Sequence, residues 1–312
     1  MIAFGPVTSR RLGLSLGMNN IASHKDCSYE CVYCQIGQTP NLTITRKKQF
    51  DPQKFYEDIK QHLQKLDLTY KPDYLTFVSN GEPTLDINLG EEIELLKEFG
   101  IPIAVITNAS LIYKEDVRKD LMKADWVSVK IDTVNENEWR AINQPNHNLD
   151  FNRQIEAIQL FVNDFRGKFH TETMLVNGYN DSSKSLENTA SFISSLSTDV
   201  SYLSIPIRPP AKAGVQAVSE TKIAEAWNIF NDKGINIETL TGFEGTDTGF
   251  TGNISEDILR ITSVHPLRED TIEELIKKDY SDIKAIDSLI NKGLIKKVNY
   301  KGYQYYVRCY SS

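Results

Sequence analysis

Three cysteines fall in one short run, Cys27-Ser-Tyr-Glu-Cys31-Val-Tyr-Cys34, with the spacing C-x3-C-x2-C. Clustered thiolates suit soft metal chemistry, and a cubane 4Fe-4S cluster normally takes four of them. With no fourth cysteine close by, one iron of such a cluster is left open to a small molecule, and chemistry would occur at that open corner. A structural zinc site is the competing reading. It usually shows two C-x2-C pairs or mixed Cys/His sets, and His24 is the residue that could complete a Cys3His set here. The remaining cysteine, Cys309, sits near the C-terminus in a strand-like Tyr305-Tyr-Val-Arg-Cys309-Tyr, where a packed structural thiol is expected. Four cysteines in 312 residues are too sparse for a disulfide framework.

The spacing, with Tyr33 directly before the last cysteine, resembles the signature of the radical S-adenosylmethionine (radical SAM) enzymes. The resemblance implies Cys27, Cys31 and Cys34 as cluster ligands, S-adenosylmethionine as second cofactor and Tyr33 as an adenine contact. It also implies a one-electron reductant of the flavodoxin or ferredoxin type as partner. Further along, Ser79-Asn-Gly81-Glu82-Pro83-Thr-Leu85 resembles the family's Gly-Glu-Pro element, which holds the cofactor's amino group. A glycine lets backbone approach a ligand, and a carboxylate accepts a charge-assisted bond from an ammonium. A Gly/Pro turn with a solvated glutamate is the bland alternative. It gives way because the element follows a strand and stands downstream of the cysteine loop.

Thr107-Asn108-Ala-Ser110 follows the next strand and offers polar groups at the same rim. Ser128, Lys130 and Asp132 alternate on the strand after that, so all three share one face. Facing inward they converge on a cofactor pocket; facing outward they meet solvent. Parallel strands are covered on both faces, which favours the inward reading. Lys130 is the residue best placed as a catalytic base, or to form a Schiff base with a carbonyl.

The elements that would position these residues alternate between strand and helix. Asp51-Pro52 marks a helix start, and Phe55, Ile59, Leu63 and Leu66 recur at helical spacing. Strands are expected at 74–78, 101–106, 126–131, 169–176, 202–207 and 235–240. Helices are expected between them at 93–99, 114–123, 150–165, 183–195 and 219–233. Strands joined by single helices give a parallel sheet with right-handed crossovers. With the cysteine loop after the first strand, the pattern predicts an α/β fold, a partial (β/α)6 TIM-type barrel over 1–240. Ligands of such sheets sit at the carboxyl ends of the strands.

Residues 241–253, rich in glycine and small polar residues, read as a linker or lid. Beyond them three helices are expected, at 254–261, 267–277 and 281–292, the third capped by Ser281 and ended by Gly293. Two strands joined at Lys301-Gly302 follow, and the set makes a small C-terminal winged-helix domain over 254–312. Residues 255–312 carry 10 basic and 9 acidic side chains against 25 and 33 in the rest. The third helix begins with more acids than bases, which disfavours DNA. Lys296, Lys297, Lys301 and Arg308 give the wing a basic cast that suits RNA or an acidic peptide.

The opening Phe4-Gly-Pro-Val-Thr-Ser-Arg-Arg-Leu-Gly13, Cys34-Gln-Ile-Gly37, the Gly-Glu-Pro-Thr element, Met174-Leu-Val-Asn-Gly178 and Ile205-Pro-Ile-Arg208-Pro-Pro are similar to a family described as wyosine-synthase-like. The likeness extends over essentially the whole chain and implies a cofactor and a reaction type. Wyosine synthase modifies a tRNA guanosine and uses a second cluster on further cysteines; this sequence has no such set. RNA is the substrate class this resemblance and the wing favour, with a peptide or a redox-sensing regulator as alternatives. The net charge of −7 disfavours a general nucleic-acid coat. Absence of a long apolar run or a signal-like N-terminus predicts a cytoplasmic protein without a membrane partner.

Overall fold

The strand-like runs assemble into one curled sheet in the computed structural model, which describes residues 2–310. In chain order the strands are β1 (Ala3–Ser9), β2 (Gly13–Met18), β3 (Asp26–Cys27), β4 (Asn41–Leu42), β5 (Tyr74–Phe77), β6 (Ile103–Thr107), β7 (Trp126–Lys130), β8 (Lys168–Met174), β9 (Val200–Ser204), β10 (Ile237–Leu240), β11 (Leu267–Arg268), β12 (Ile295–Tyr300) and β13 (Tyr303–Arg308). The helices are α1 (Pro52–Lys65), α2 (Leu89–Leu96), α3 (Glu115–Leu121), α4 (Glu136–Ile142), α5 (Phe151–Asp164), α6 (Ser183–Ser194), α7 (Glu220–Asn231), α8 (Ile254–Thr262), α9 (Glu269–Lys278) and α10 (Lys284–Asn291).

The large sheet has the order β1-β2-β5-β6-β7-β8-β9-β10. From β2 onward every neighbour is parallel, while β1 is antiparallel to β2. This is the expected partial barrel: β2 is the first strand, leading into the cysteine loop, and the six further expected strands follow it as β5 to β10. Gly13, at a left-handed φ of 63°, sits where the chain turns from β1 into β2. Asp51 caps α1 as expected, its carboxylate accepting the Lys54 N–H at 3.0 Å. Helix α4 was not expected, since seven residues are too few to display a period; Asn135 caps it by accepting from Asn137 and Glu138.

Apolar faces of the helices cover the sheet in one core that includes Phe55, Ile59, Leu75, Phe77, Ile93, Val127 and Phe161, all buried. Inside the curl, the β1–β2 turn drops Leu12 onto Ala104, Trp126, Tyr202 and Leu240. This plug closes the base of the barrel and brings Arg10 and Arg11, its neighbours in sequence, towards the interior.

The C-terminal part comprises α8 to α10 and a sheet of order β11-β13-β12, antiparallel throughout. Lys301 and Gly302 make the expected hairpin turn, both at positive φ. Two boundaries differ from expectation. Leu267 and Arg268 pair with Tyr306 and Tyr305 as β11, so α9 starts at Glu269. Helix α10 starts at Lys284, whose N–H is accepted by Asp282 at 3.0 Å; Ser281 caps nothing there, its own N–H going to Ile276 O.

This part does not stand apart from the barrel. Phe4 of β1 joins Ile254, Ile258, Ile261, Leu275 and Leu289 in one core, and its ring lies so close over Gly17 that a Cβ there would come within 1.9 Å of it. Residues 241–253 run along the outer edge of β1, with Gly249 N–H donating to Pro6 O and Thr8 N–H to Asp247 O. They therefore cover a sheet edge that would otherwise be unpaired. Among the described residues no helix is long and apolar enough to cross a membrane.

His62 of α1 bridges the two parts. Its Nε2 meets Gly5 O at 2.9 Å and its Nδ1 meets Arg260 of α8 at 3.2 Å. The ring is therefore neutral, Nε2–H donating and Nδ1 accepting. Burial, reinforced by Arg260, lowers its pKa to about 4. A histidine held below its unfolded value stabilises the fold fully above about pH 6.5, and the contribution is lost as pH falls towards 4. The melting temperature is expected to decline over that window, and His62→Gln, which lacks the titration, to decline less steeply when both are followed by calorimetry.

Candidate active site

The cysteine loop is fixed by backbone bonds before any ligand is considered. Val32 N–H donates to Ile142 O at 2.9 Å and Glu30 N–H to Asn143 O at 3.0 Å, both at the end of α4. Tyr29 is buried between Trp139, which donates to its hydroxyl at 2.9 Å, and Gln154, which accepts from it at 2.7 Å. From the other side, Glu82 N–H donates to Asp26 O at 3.0 Å. Gly81 is required there: a Cβ on it would lie 1.9 Å from Asp26 O. The expected approach of this glycine to a ligand is thus an approach to the strand leading into Cys27. Gly81→Ala is expected to displace Asp26 and lower cluster loading roughly 10–100-fold in affinity, the range for disturbing a ligand's support, read as iron and sulfide per chain after reconstitution.

Each of the three sulfurs has its own nitrogen donor. Asn108 Nδ2 lies 3.7 Å from Cys27 Sγ, Asn143 Nδ2 3.5 Å from Cys31 Sγ, and Lys25 Nζ 3.3 Å from Cys34 Sγ. Lys25 is itself buried and also donates to Gly37 O. Burial pushes the Cys27 thiol up and the Cys31 thiol to about 12, with Asp132 adding to the latter. These sulfurs ionise only beside a compensating positive centre, as a metal supplies. Among the described residues, no three His, Cys, Asp or Glu side chains converge on a single ion. His24 is instead stacked on Tyr310, ring centroids 3.6 Å apart. Three separate thiols with amide and ammonium donors fit the corners of a cubane, whose sulfurs are normally hydrogen-bonded.

Two carboxylates flank the loop. Glu82 Oε1 accepts from Thr84 N–H and Oγ1 at 3.1 and 2.7 Å and from Thr107 Oγ1 at 2.6 Å, while Oε2 accepts from Asn108 N–H at 2.8 Å. Burial raises this carboxyl's pKa against the pull of those donors. A carboxylate has about four acceptor positions, so Oε2 is the oxygen with capacity left. Pro83 starts the buried turn behind it. Asp132 Oδ2 accepts from the Tyr33 hydroxyl at 2.5 Å and Asn143 Nδ2 at 2.7 Å, and Oδ1 from Met174 N–H at 2.9 Å. Asn108 thus links Glu82 to Cys27, and Asn143 links Asp132 to Cys31.

Lys130 differs from expectation. Its Nζ is 2.9 Å from Glu172 Oε1 and 5.1 Å from the centre of the Tyr33 ring. Burial would lower its pKa, but Glu172 and Asp132 together raise it. A base or Schiff-base nucleophile needs a neutral amine, so this lysine supplies charge in place of the basicity expected of it. Glu172 pairs with Arg11 as well and accepts from Ser204 Oγ at 2.8 Å; Arg11 and Lys130 outweigh burial and hold it well below the usual carboxylate range. Ser128 is buried and its hydroxyl has no partner among the described residues.

Tyr33, Cys34 and Lys130 line one cavity of about 230 Å3 with Arg10, Arg11, Glu172 and Arg208. Glu82, Thr107, Asn108, Ser128 and Asp132 lie outside its lining. Sequence reading had missed Lys25, Asn143, Arg11 and Glu172. Glu172 carried a usable signal, because His170, Glu172 and Met174 alternate inward as Ser128, Lys130 and Asp132 do; Asn143 carried none, since α4 was invisible.

Residues 22–193 match the family model described as Radical SAM superfamily. The chain belongs to the radical SAM superfamily. Members of this superfamily carry a 4Fe-4S cluster and S-adenosylmethionine. UPF0026 protein MJ1312 of Methanocaldococcus jannaschii is 44% identical over 309 residues, 98% of this chain and 96% of that protein, so the chain also belongs to the UPF0026 family. Among solved structures, a radical SAM methyltransferase from Sphaerobacter thermophilus superposes with a TM-score of 0.54 at 16% identity, over 73% of this chain and 66% of that one. Streptococcus suis SuiB bound to precursor peptide SuiA gives 0.56 at 13%, over 75% and 50%. Both share the partial barrel of the radical SAM fold.

Proposed function

We propose that the barrel mouth holds a 4Fe-4S cluster on Cys27, Cys31 and Cys34 with S-adenosylmethionine at its open iron, and that a substrate in the adjoining cavity loses a hydrogen atom. Held there by Cys27, Cys31 and Cys34, a cluster with S-adenosylmethionine would supply one-electron reductive chemistry for hydrogen abstraction, with a flavodoxin- or ferredoxin-type reductant as partner. The observation that carries this reading is the trio of sulfurs, each with its own donor, one of which, Cys34, lines a cavity at the carboxyl end of the sheet. Unprotected thiols of this kind belong in a reducing, cytoplasmic compartment.

The chain's own residues position and shield. Glu82, fixed by Thr84 and Thr107, presents Oε2 to an ammonium. Asp132 orients Tyr33, whose ring takes the adenine, and Lys130 adds a fixed positive charge on that ring's face. Asn108, Asn143 and Lys25 stabilise negative charge on the sulfurs and so set the cluster's potential. Ser128 lends an unsatisfied hydroxyl to the same interior. The C-terminal part excludes water from the mouth: Gln35 of the cysteine loop donates to Val264 O at 3.1 Å, and Tyr300 and Tyr305 donate to Pro206 O and Ile207 O, both at 3.0 Å.

RNA is the substrate class we favour on resemblance and on exposed Lys296, although the wing offers less charge than its sequence promised. Lys301 donates to Pro206 O at 3.3 Å and Lys297 faces Glu269 at 3.7 Å. A peptide is the second reading, favoured by the free edge of β12 beside the cleft between Pro209–Ala217 and the wing, where an extended chain could add as a strand. A regulator has no use for a cavity at the cluster.

Anaerobic reconstitution, dithionite reduction and chromatography for 5'-deoxyadenosine test the proposal. Formation by the wild type sustains it. No product from protein with verified 4Fe-4S content, in the presence of RNA or peptide pools, would overturn it.

A further inference from the structure

The cavity beside Cys34 has a charge that the cluster and its cofactor do not explain. Four cations, Arg10, Arg11, Lys130 and Arg208, line it against one carboxylate, Glu172. Glu172 is shared by Arg11 and Lys130. Arg208 reaches Glu244 in the 241–253 segment and Gln35 at 3.0 Å. Arg10 has no carboxylate partner among the described residues; its guanidinium donates to Gly242 O at 2.8 Å.

Collecting guanidinium groups in a partly closed space costs free energy unless an anion offsets it. Burial and the neighbouring arginines lower the pKa of both Arg10 and Arg208 to about 10, as expected for like charges sharing a desolvated site. These arginines are also placed by unrelated elements. Arg10 and Arg11 come from the β1–β2 turn that plugs the barrel, and Arg208 from the loop after β9, so no single strand's pattern brings them together. Lys25, by contrast, sits directly at a sulfur and serves the cluster.

We propose that Arg10, Arg11 and Arg208 form a subsite for an anionic group of the substrate, a carboxylate or a phosphate, in the cavity that Cys34 also lines. Guanidinium forks match both groups in bidentate fashion. The subsite would hold the substrate by its charged end and leave its C–H bonds towards the cluster, and in this respect it rests on the radical-enzyme reading above. Glu244 occupies Arg208 in the free protein, and an incoming anion would replace it there.

The test is calorimetric titration of cluster-loaded full-length protein with inorganic pyrophosphate and, separately, with oxalate, at about 0.15 M ionic strength to suppress loose surface binding. S-adenosylmethionine is titrated into the same samples. Wild type is expected to bind at least one anion saturably, and the better of the two identifies the group. Arg10→Gln and Arg208→Gln are expected to weaken that binding at least about tenfold, the effect of losing one charged hydrogen bond. Arg208→Lys, which keeps the charge and loses the fork, is expected to bind between wild type and Arg208→Gln, and unchanged S-adenosylmethionine affinity guards against misfolding as the explanation. S-adenosylmethionine affinity stays within about twofold throughout. Anion binding that is absent from wild type below about 10 mM, or unchanged in both Gln variants, overturns the subsite. Failure of S-adenosylmethionine to bind any sample, with anion binding intact, would count against the cofactor reading alone.

Discussion

Cys31→Ala is expected to remove 5'-deoxyadenosine formation and most of the cluster while leaving the fold in place. Its sulfur is one of three, and a cubane held by two thiolates lacks the support that the family's chemistry requires. The loss should exceed the roughly 10–100-fold that removing a supporting partner costs, which sets the comparison: Asn143→Ala, which deletes only the donor to Cys31 and Asp132, should lie within that range. Iron content, the charge-transfer absorption of the cluster and the far-ultraviolet dichroism separate the two. Loss of folded structure in Cys31→Ala would show that the loop is organised by the cysteine itself. Val32, Glu30 and Tyr29 already fix the loop by bonds to α4 and Gln154, and the fold is therefore expected to survive.

Glu172→Ala is the substitution expected to cost most in stability. The carboxylate is buried and serves Arg11, Lys130 and Ser204 together. Removing it leaves two cations facing each other in the barrel, and breaking a buried pair in this way costs about 3–5 kcal/mol. The melting temperature should fall by several degrees. The double variant Glu172→Ala, Lys130→Met removes one of the stranded charges and should recover part of the loss. Because Glu172 is held well below the carboxylate range, the pair's contribution is complete above the unfolded value near pH 4.5 and is lost progressively as pH falls below it towards the folded value. A wild-type loss between about pH 6.5 and 4.5 would therefore report on buried histidines such as His62 and not on Glu172.

The cysteine loop, the Gly-Glu-Pro element and the order of strands were legible because each is local: spacing of thiols, a glycine after an apolar run, and period-2 against period-3.6 patterns. Asp51 capped its helix and Lys301-Gly302 turned its hairpin for the same reason. What escaped was set by distant contacts. Gly81 looked like a ligand contact because its neighbour, Asp26, lies across the fold. Lys130 looked basic because Glu172 comes from the next strand. The wing looked free because Pro206, which accepts from Tyr300 and Lys301, belongs to a loop far away in the chain. A single sequence gives alternation along one strand but not which charged side chains meet between strands.

The most direct measurement is electron–nuclear double resonance on the reduced, reconstituted protein mixed with S-adenosylmethionine labelled with 17O in its carboxylate and 15N in its amino group. Hyperfine coupling of both nuclei to the cluster is the predicted result, with the nitrogen coupling altered in Glu82→Gln and abolished with the cluster in Cys31→Ala. A fully loaded 4Fe-4S cluster that shows neither coupling would contradict an open iron at this barrel mouth.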